Sequence, residues 1–287
     1  DPRPQTQRLT RHSDGACLLM LASPWIAALL ALFSWWFFTG IILLVVRRAD
    51  RSGGAAHRAA TVLGVPFLAL GVAGLIVSGT VLSEVNAYVA FFSVLLVWGW
   101  IELAFLSGII TGPERRPCPE GLLGWPRFVR AWHTVSYHEI LLLCGLLIVT
   151  VTTANAANSI GFWTYLILFV ARISAKLNLF FGVPRINTEF VPKPLGHLKS
   201  YFRQGNVTLA FVLGVTFLSF ATAFFAERLY SAETAPSHVG FALLLALSAL
   251  ATFEHWLMVI PLPDAKLWRW MLPALPSTSK TGQSHEL

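Results

Sequence analysis

The feature of this chain that most constrains its fold is a series of apolar stretches, each near 20 residues long, that follow one another along most of its 287 residues. A helix of about 20 apolar residues crosses the roughly 30 Å hydrocarbon core of a bilayer. The stretches are continuously apolar and do not alternate, which predicts spanning helices rather than a barrel of strands. The chain is therefore predicted to be an all-α integral membrane protein.

Composition supports the same class. Hydrophobic residues make up 55% of the chain and charged residues 12%, whereas about 25% of the residues of a soluble domain are charged. Very short links at 83–84 and at 158 predict that spans two and three, and spans four and five, form antiparallel hairpins. We predict seven spans, at 25–46, 61–81, 85–110, 135–157, 160–179, 207–225 and 237–259.

The basic residues predict the orientation of this bundle. Loops one, three and five and the C-terminal tail hold 17 of the 21 Lys and Arg residues when Arg172 and Lys176 at the end of span five are counted with loop five, and the opposite side holds the other four. Because positive charge concentrates in cytoplasmic loops, we expect the C-terminus in the cytoplasm and the N-terminus in the periplasm. The net charge of +7 is then a topology signal, and no nucleic-acid partner is predicted.

These assignments divide the chain into three parts. We predict a periplasmic tail at 1–24, a seven-helix domain at 25–259, and a cytoplasmic part at 260–287 with an interfacial helix and a polar tail. The first span has no small-residue cleavage site and is interpreted as a retained helix. In "PLGHLKSYFRQ" of loop five and "DAKLWRWML" near the C-terminus, aromatic residues lie beside cations, which predicts short interfacial helices.

The second span is rich in small residues. Such a surface permits close approach of another helix, and the favoured interpretation is ordinary packing within the chain. Contact with a partner subunit or a pigment ring is the alternative. Pro66 is expected to kink this span. Its glycines are Gly64, Gly71, Gly74 and Gly79.

Several ionisable side chains lie inside the spans, where they are costly in lipid and therefore functional candidates. With the predicted topology they all lie roughly 5–12 Å from the cytoplasmic boundary, at about 1.5 Å per helical residue. Arg172 and Lys176 share a helix face, and we predict that Arg172 pairs with Glu254 or with Glu102. The predicted buried polar network consists of Glu102, Glu139, Arg172, Lys176, Asn178 and Glu254.

The chemistry of this layer allows several roles. The favoured interpretation is structural, with paired charges joining helices. Alternatively, His138 or His255 ligates the magnesium of a bacteriochlorophyll, since neutral imidazole is a common metal ligand. Adjacent His and Glu residues do not match the spacing of a di-metal carboxylate site, and the lack of a repeat disfavours a proton-coupled transporter. Known catalytic motifs do not occur, so neither catalytic residues nor a metal site is predicted.

Five motifs follow one another along the chain: "FSWWFFTGIIL", "VWGWIELAFLSGIITGPERRPCPEG", "HTVSYHEI", "ARISAKLNLFFGVPRINTEFVPKPLGHLKSYF" and "EHWLMVIPLPDAKLWRW". In this order and spacing they resemble the photosynthetic complex assembly protein family of phototrophic purple bacteria, the PuhE type. The resemblance covers nearly all of Trp25 to Met271. The polar positions named above lie within these motifs.

The resemblance implies a non-enzymatic, multi-pass protein of the bacterial inner, intracytoplasmic photosynthetic membrane. Its implied role is to assist assembly or stabilisation of the reaction centre with its light-harvesting antenna. The expected partners are the subunits of the reaction centre and of the antenna, together with membrane lipids. One alternative is a permanent structural subunit of the mature complex that contacts pigment. A more distant alternative is an accessory role in bacteriochlorophyll synthesis or delivery. Bacteriochlorophyll and carotenoid are the candidate cofactors, and the sequence does not decide whether either binds.

Overall fold

The computed structural model describes residues 20–261. Within this range the chain forms eight α-helices, of which α2 and α3 together make one span, so that seven apolar segments are long enough to cross a bilayer. The predicted all-helical, seven-span class is confirmed for this range. The helices are α1 Pro24–Ser52, α2 Gly54–Leu63, α3 Val65–Ser78, α4 Glu84–Leu106, α5 Gly124–Thr153, α6 Ile160–Phe181, α7 Leu209–Tyr230 and α8 Ala235–Leu257.

The two predicted tails fall largely outside the described residues. Only residues 20–24 of the first and 260–261 of the second belong to the described range. The interfacial helix predicted at "DAKLWRWML" lies outside it altogether.

Local sequence signals explain where several helices begin and end. The Ser83 hydroxyl accepts a hydrogen bond from the Asn86 backbone N–H at 3.2 Å and caps α4. Thr234 caps α8 in the same way, as expected for hydroxyl residues at this position. Gly53 ends α1 and Gly182 ends α6, with φ of 93° and 133° respectively, values that favour glycine.

The second span is broken where the sequence predicts a kink. Its helix is interrupted at Gly64, and Pro66 lies in the first turn of α3, where proline is tolerated. A Cβ at Gly64 would lie 2.9 Å from the Trp100 ring, and one at Gly71 would lie 2.7 Å from the Ser93 carbonyl oxygen. The small residues therefore allow α2 and α3 to pack closely against α4, in agreement with ordinary packing within the chain.

The two short hairpin links lie beside each other and are joined by one side chain. The Asn158 amide donates to the Ser78 carbonyl at 3.1 Å and to the Asn86 carbonyl at 2.9 Å. Its oxygen accepts from the Ile160 backbone N–H at 3.0 Å. Because Asn158 is 2% exposed, this buried amide fixes the α3–α4 link against the α5–α6 link.

Helix α4 occupies the centre of the bundle. In its most apolar 18-residue window 56% of the residues are buried, against 11% in the span formed by α2 and α3. The main core contains Phe91 and Val94 from α4, Tyr165 from α6 and Leu243 from α8. The span of α2 and α3 is consequently peripheral, and α4 is the scaffold on which the site residues are placed.

One end of the bundle carries the loops after α1, between α4 and α5, and between α6 and α7, and we call it the basic end. Here α5 begins at Gly124, eleven residues before the predicted start. The added turns hold Arg127, whose guanidinium donates to the Tyr201 carbonyl at 2.7 Å and lies 4.4 Å from the centroid of the Phe180 ring. Tertiary contacts thus extend the helix into a basic segment that hydropathy assigned to a loop.

The loop between α6 and α7, residues 182–208, folds back over the basic end. Its segment Lys193–Tyr201 is a 3₁₀ helix in which Leu195, Leu198 and Tyr201 are buried. The spacing of three residues matches the three residues per turn of a 3₁₀ helix. The predicted helix therefore exists, but its apolar side packs on Phe105 of the bundle rather than on lipid.

Candidate functional site

Polar side chains from three helices meet inside the bundle near the basic end. Glu102 comes from α4, His138 and Glu139 from α5, and Arg172 and Lys176 from α6. We call these five residues the buried polar cluster. His138 is 0% exposed and Glu139 is 5% exposed. Five of the residues that the sequence placed in one layer are thus brought together by the fold.

Arg172 lies against Glu102, one of its two predicted carboxylate candidates. Its Nη2 donates to Glu102 Oε2 at 2.7 Å. The Glu102 side chain is 12% exposed and that of Arg172 is 30% exposed. A charge-assisted hydrogen bond of this length between largely enclosed partners neutralises both charges inside the bundle.

Lys176 holds the other carboxylate and orients the histidine. Its ammonium donates to Glu139 Oε1 and lies 2.8 Å from His138 Nδ1. Because an ammonium can only donate, His138 Nδ1 accepts, and its proton is carried by Nε2. That nitrogen faces Glu102 Oε1 at 3.6 Å, beyond ordinary hydrogen-bonding distance.

Phe105, one helical turn beyond Glu102, lies against the cluster. Its ring centroid is 4.2 Å from that of the His138 ring. The ammonium of Lys176 lies 5.2 Å and the guanidinium carbon of Arg172 5.6 Å from the same centroid. Both distances are within the range of cation–π attraction, so the two cations are also stabilised by an aromatic ring that sequence reasoning did not include.

Glu254 and His255 of α8 lie apart from the cluster and have other partners. Glu254 Oε1 accepts from the indole N–H of Trp35 at 2.7 Å. His255 Nδ1 donates to the Ala251 carbonyl at 2.8 Å, and its Nε2 accepts from the Ser174 hydroxyl at 2.9 Å. The structure therefore pairs Glu254 with an indole of α1 rather than with Arg172.

Asn178 is also buried, two residues after the lysine of the cluster on α6. It is 0% exposed, and neither side-chain atom has a hydrogen-bond partner among residues 20–261. Four atoms of cluster residues lack a hydrogen bond in the same range, namely Glu102 Oε1, His138 Nε2, Glu139 Oε2 and Arg172 Nε. Buried polar atoms are normally satisfied, so the cluster retains free hydrogen-bonding capacity.

The geometry does not fit ligation of a bacteriochlorophyll magnesium by either histidine. Such a ligand needs an unprotonated ring nitrogen that faces open space. In His138 that nitrogen accepts from Lys176, and in His255 it accepts from Ser174. His138 is 0% exposed and His255 is 2% exposed. Ligation would require different rotamers or tautomers, and the ligation hypothesis gains no support from this arrangement.

A cavity of about 570 Å³ lies beside the cluster. Its walls are mainly apolar and come from α1, α4, α5, α6 and α8, while the loop at 182–208 covers it at the basic end. Its polar lining includes the four charged side chains of the cluster and both Glu254 and His255. The charged cluster residues that line it are Glu102, Glu139, Arg172 and Lys176.

The covering loop is anchored by a second buried polar group. Asp50, at the end of α1, lies 3.2 Å from His57 Nε2, and both side chains are 6% exposed. The Asp50 carboxylate accepts from the Lys193 backbone N–H at 3.2 Å, and the Lys193 ammonium donates to the Asp50 carbonyl at 2.9 Å. This group was not identified from the sequence. Asp50 lies just after Arg47 and Arg48, in a basic segment that is typical of an ordinary loop.

A further ion pair joins the loop after α4 to α5. Arg130 Nη2 lies 2.8 Å from Glu114 Oε2. The backbone N–H of Arg116 donates to the same carboxylate at 2.8 Å. This N–H, and secondarily the Arg130 guanidinium, hold the pKa of Glu114 below its usual value. Tyr201 donates to the Arg116 carbonyl at 3.2 Å, which links this loop to the cover of the cavity.

Comparison with known proteins gives the family. A family described as "Protein of unknown function (DUF3623)" matches residues 21–279. A protein of Rhodobacter capsulatus named "Uncharacterized 30.4 kDa protein in puhA 5'region" is 49% identical over 259 residues, covering 90% of this chain and 94% of the relative. No solved structure matches. The chain belongs to the DUF3623 family.

Proposed function

We propose that this member of the DUF3623 family is an assembly protein of the PuhE type, which assists assembly or stabilisation of the photosynthetic reaction centre with its light-harvesting antenna. The observation that carries the proposal is the relative that is 49% identical over 90% of the chain. The name of that relative places it in the puhA region and so links it to a photosynthesis gene cluster. The motifs that resemble the assembly family are spread over the same part of the chain.

The arrangement of the polar side chains supports a non-catalytic role. Each cation of the buried polar cluster is matched by a carboxylate, Arg172 by Glu102 and Lys176 by Glu139. Paired charges of this kind join helices. The cluster connects α4, α5 and α6 into a rigid unit, on which a membrane protein can present its lipid-facing helices to other subunits.

We further propose that the protein lies in the inner, intracytoplasmic photosynthetic membrane with its basic end in the cytoplasm. The excess of Lys and Arg in the loops at that end supports this orientation. The N-terminus is then periplasmic and the C-terminus cytoplasmic. Reaction-centre and antenna subunits are the proposed partners.

A permanent structural subunit of the mature complex is the second candidate. The exposed apolar faces of the peripheral span, with Phe67 58% and Leu70 61% exposed, suit contact with lipid or with another membrane subunit. The two candidates differ in how much of the protein accompanies the complex and in how long it stays bound. An assembly protein is present at low stoichiometry while complexes form, whereas a subunit stays at constant stoichiometry in mature complexes.

The test is purification of the tagged full-length protein in a mild detergent, at intervals after cells are shifted to phototrophic growth. Mass spectrometry measures reaction-centre and antenna polypeptides, and absorption spectra measure pigment. An unrelated multi-pass protein of the same membrane, tagged identically, is the control. Association that peaks early and declines supports an assembly role, and constant stoichiometry supports a subunit. Photosynthetic polypeptides at the level of the control throughout the time course would refute both.

A further inference from the structure

The cavity beside the buried polar cluster has the properties of a site for a small lipid-soluble molecule. Its volume of about 570 Å³ falls in the range of about 300–1,000 Å³ typical of small-molecule sites. Its walls are mainly apolar, with a few polar groups at one place, as such sites generally are. Glu139 is 5% exposed, lines the cavity and has an unpartnered oxygen. The hydrogen-bonding capacity of the site is therefore not exhausted by the protein itself.

The charges of the cluster restrict the head group that the site can take. Two carboxylates and two cations are already paired one to one. An ionised head group would add an uncompensated charge to a region enclosed by protein and lipid, which is costly. The unpartnered atoms comprise two donors, Arg172 Nε and His138 Nε2, and two acceptors, Glu102 Oε1 and Glu139 Oε2. This combination suits a neutral head that carries a carbonyl or hydroxyl oxygen.

A second cavity adjoins the first. It has a volume of about 350 Å³ and lies between α1 and α8. Trp35 and Glu254 line both cavities, so their 2.7 Å hydrogen bond lies at the shared boundary. Leu32 and Phe253, which line only the second cavity, are 41% and 47% exposed. In a membrane-spanning bundle this exposed surface faces the hydrocarbon.

We propose that the larger cavity binds a neutral, chain-bearing lipid with a carbonyl or hydroxyl head, of the size of a quinone ring with part of its tail, and that this lipid enters from the bilayer between α1 and α8 past the Trp35–Glu254 hydrogen bond. The head lies at the buried polar cluster, and the chain lies along the apolar walls. This inference is independent of the proposed function, because it concerns the isolated protein.

Binding is tested with the full-length protein in lipid nanodiscs that contain no quinone. Decylubiquinone is the probe, and quenching of tryptophan fluorescence is the signal, since Trp35, Trp98 and Trp132 line the cavity. Dodecanoate, a chain with an anionic head, and dodecane, a chain with no head, are the controls. We expect the quinone to quench the fluorescence in a saturable way. Neither dodecanoate nor dodecane should displace it. Quenching that rises without saturation, or equal displacement by dodecanoate, overturns the proposal.

A variant that fills part of the cavity tests the site. Gly99 lines the cavity, and a Cβ there would be in ordinary contact with Ile42 at 3.5 Å. In Gly99→Leu the Cβ is therefore accommodated, and the side chain adds bulk beside the cavity. We expect the affinity for decylubiquinone to fall about tenfold or more, because overpacking costs about 1–3 kcal/mol. Gly54→Leu, in open space outside the cavity, is the control and should leave affinity unchanged. Ala175→Leu, at a second lining position, must repeat the loss. Unchanged affinity in both lining variants overturns the site.

The proposed entry route is tested by the rate of quinone association. Trp35→Phe keeps a ring of similar shape and removes the N–H that donates to Glu254. We expect the rate of quinone association in stopped-flow fluorescence to rise at least about threefold, because an obstructing hydrogen bond of about 1 kcal/mol is lost. Leu209→Ala, at an exposed position on α7, is the control and should not change the rate. An unchanged rate in Trp35→Phe, with binding intact, overturns the proposed route.

Discussion

Removal of the Arg172 charge should destabilise the protein more than simultaneous removal of the charge and its partner. We consider Arg172→Met, which keeps most of the side-chain length and loses the guanidinium. The variant leaves the Glu102 carboxylate, 12% exposed, inside the bundle without the cation that is hydrogen-bonded to it. The double variant with Glu102→Gln leaves no uncompensated charge at this position.

The magnitude follows from the geometry. At the 2.7 Å separation of Arg172 Nη2 and Glu102 Oε2, the Coulomb attraction is about 6 kcal/mol at an effective dielectric constant of about 20. Desolvation offsets part of this, and removal of one partner of a buried pair costs about 3–5 kcal/mol. His138 Nε2 remains 3.6 Å from the carboxylate, so we expect a loss near the lower limit, about 3 kcal/mol. The double variant should lie within about 1 kcal/mol of the wild type.

The assay is reversible unfolding in mixed micelles, followed by tryptophan fluorescence, as a double-mutant cycle. The double variant is expected to be about 2 kcal/mol more stable than Arg172→Met alone, the difference between losses of about 3 and about 1 kcal/mol. Glu254→Gln supplies the matched control, since Glu254 accepts from Trp35 and interacts with Arg172 only through its charge, so its coupling with Arg172→Met should be much weaker. Additive losses in the Arg172–Glu102 cycle would refute the pairing. Equal coupling to Glu254 would show that the arginine moves between the two carboxylates.

Three further predictions concern packing, the covering loop and orientation. A Cβ at Gly74 would overlap the Ser93 side chain, so Gly74→Leu should cost about 1–3 kcal/mol and lower the thermal midpoint; an unchanged midpoint contradicts the packing of α3 on α4. Asp50→Ala removes the acceptor of the Lys193 backbone N–H and should increase proteolysis of the loop at 182–208 severalfold, whereas unchanged cleavage contradicts its anchoring role. A reporter that functions only in the cytoplasm should be active when it is fused to the C-terminus. A reporter that functions only in the periplasm should be inactive there, and its activity would reverse the proposed orientation.

Hydropathy was sufficient for the number of spans, because a bilayer imposes a length and an apolar composition on each spanning helix. The shared depth of Glu102, Glu139, Arg172 and Lys176 also followed from counting residues. Depth does not determine which side chains face each other, since that depends on how each helix is rotated in the bundle. For this reason the sequence left Arg172 with two candidate carboxylates, and only the packing of α4 against α6 distinguishes Glu102 from Glu254.

Other parts of the site depend on contacts between segments that are distant in sequence. The Trp35–Glu254 bond joins residues 219 positions apart, and the contact of Asp50 with Lys193 spans 143 positions. No local pattern marks either partner. The early start of α5 at Gly124 likewise depends on tertiary contacts of Arg127. Hydropathy assigns such basic segments to loops, because it measures transfer to lipid and not burial against another part of the protein.

The order of the charges along the chain has a consequence for biosynthesis. Glu102 and Glu139 leave the ribosome before Arg172 and Lys176, and 70 positions separate the first acid from its partner. At about 5–20 residues per second, translation needs about 4–14 s to supply that partner. During this interval α4 and α5 hold two acids without their cationic partners on α6, which a lipid environment tolerates poorly. Both helices should therefore remain beside the insertion machinery until α6 arrives, and the three helices should enter the bilayer as one unit.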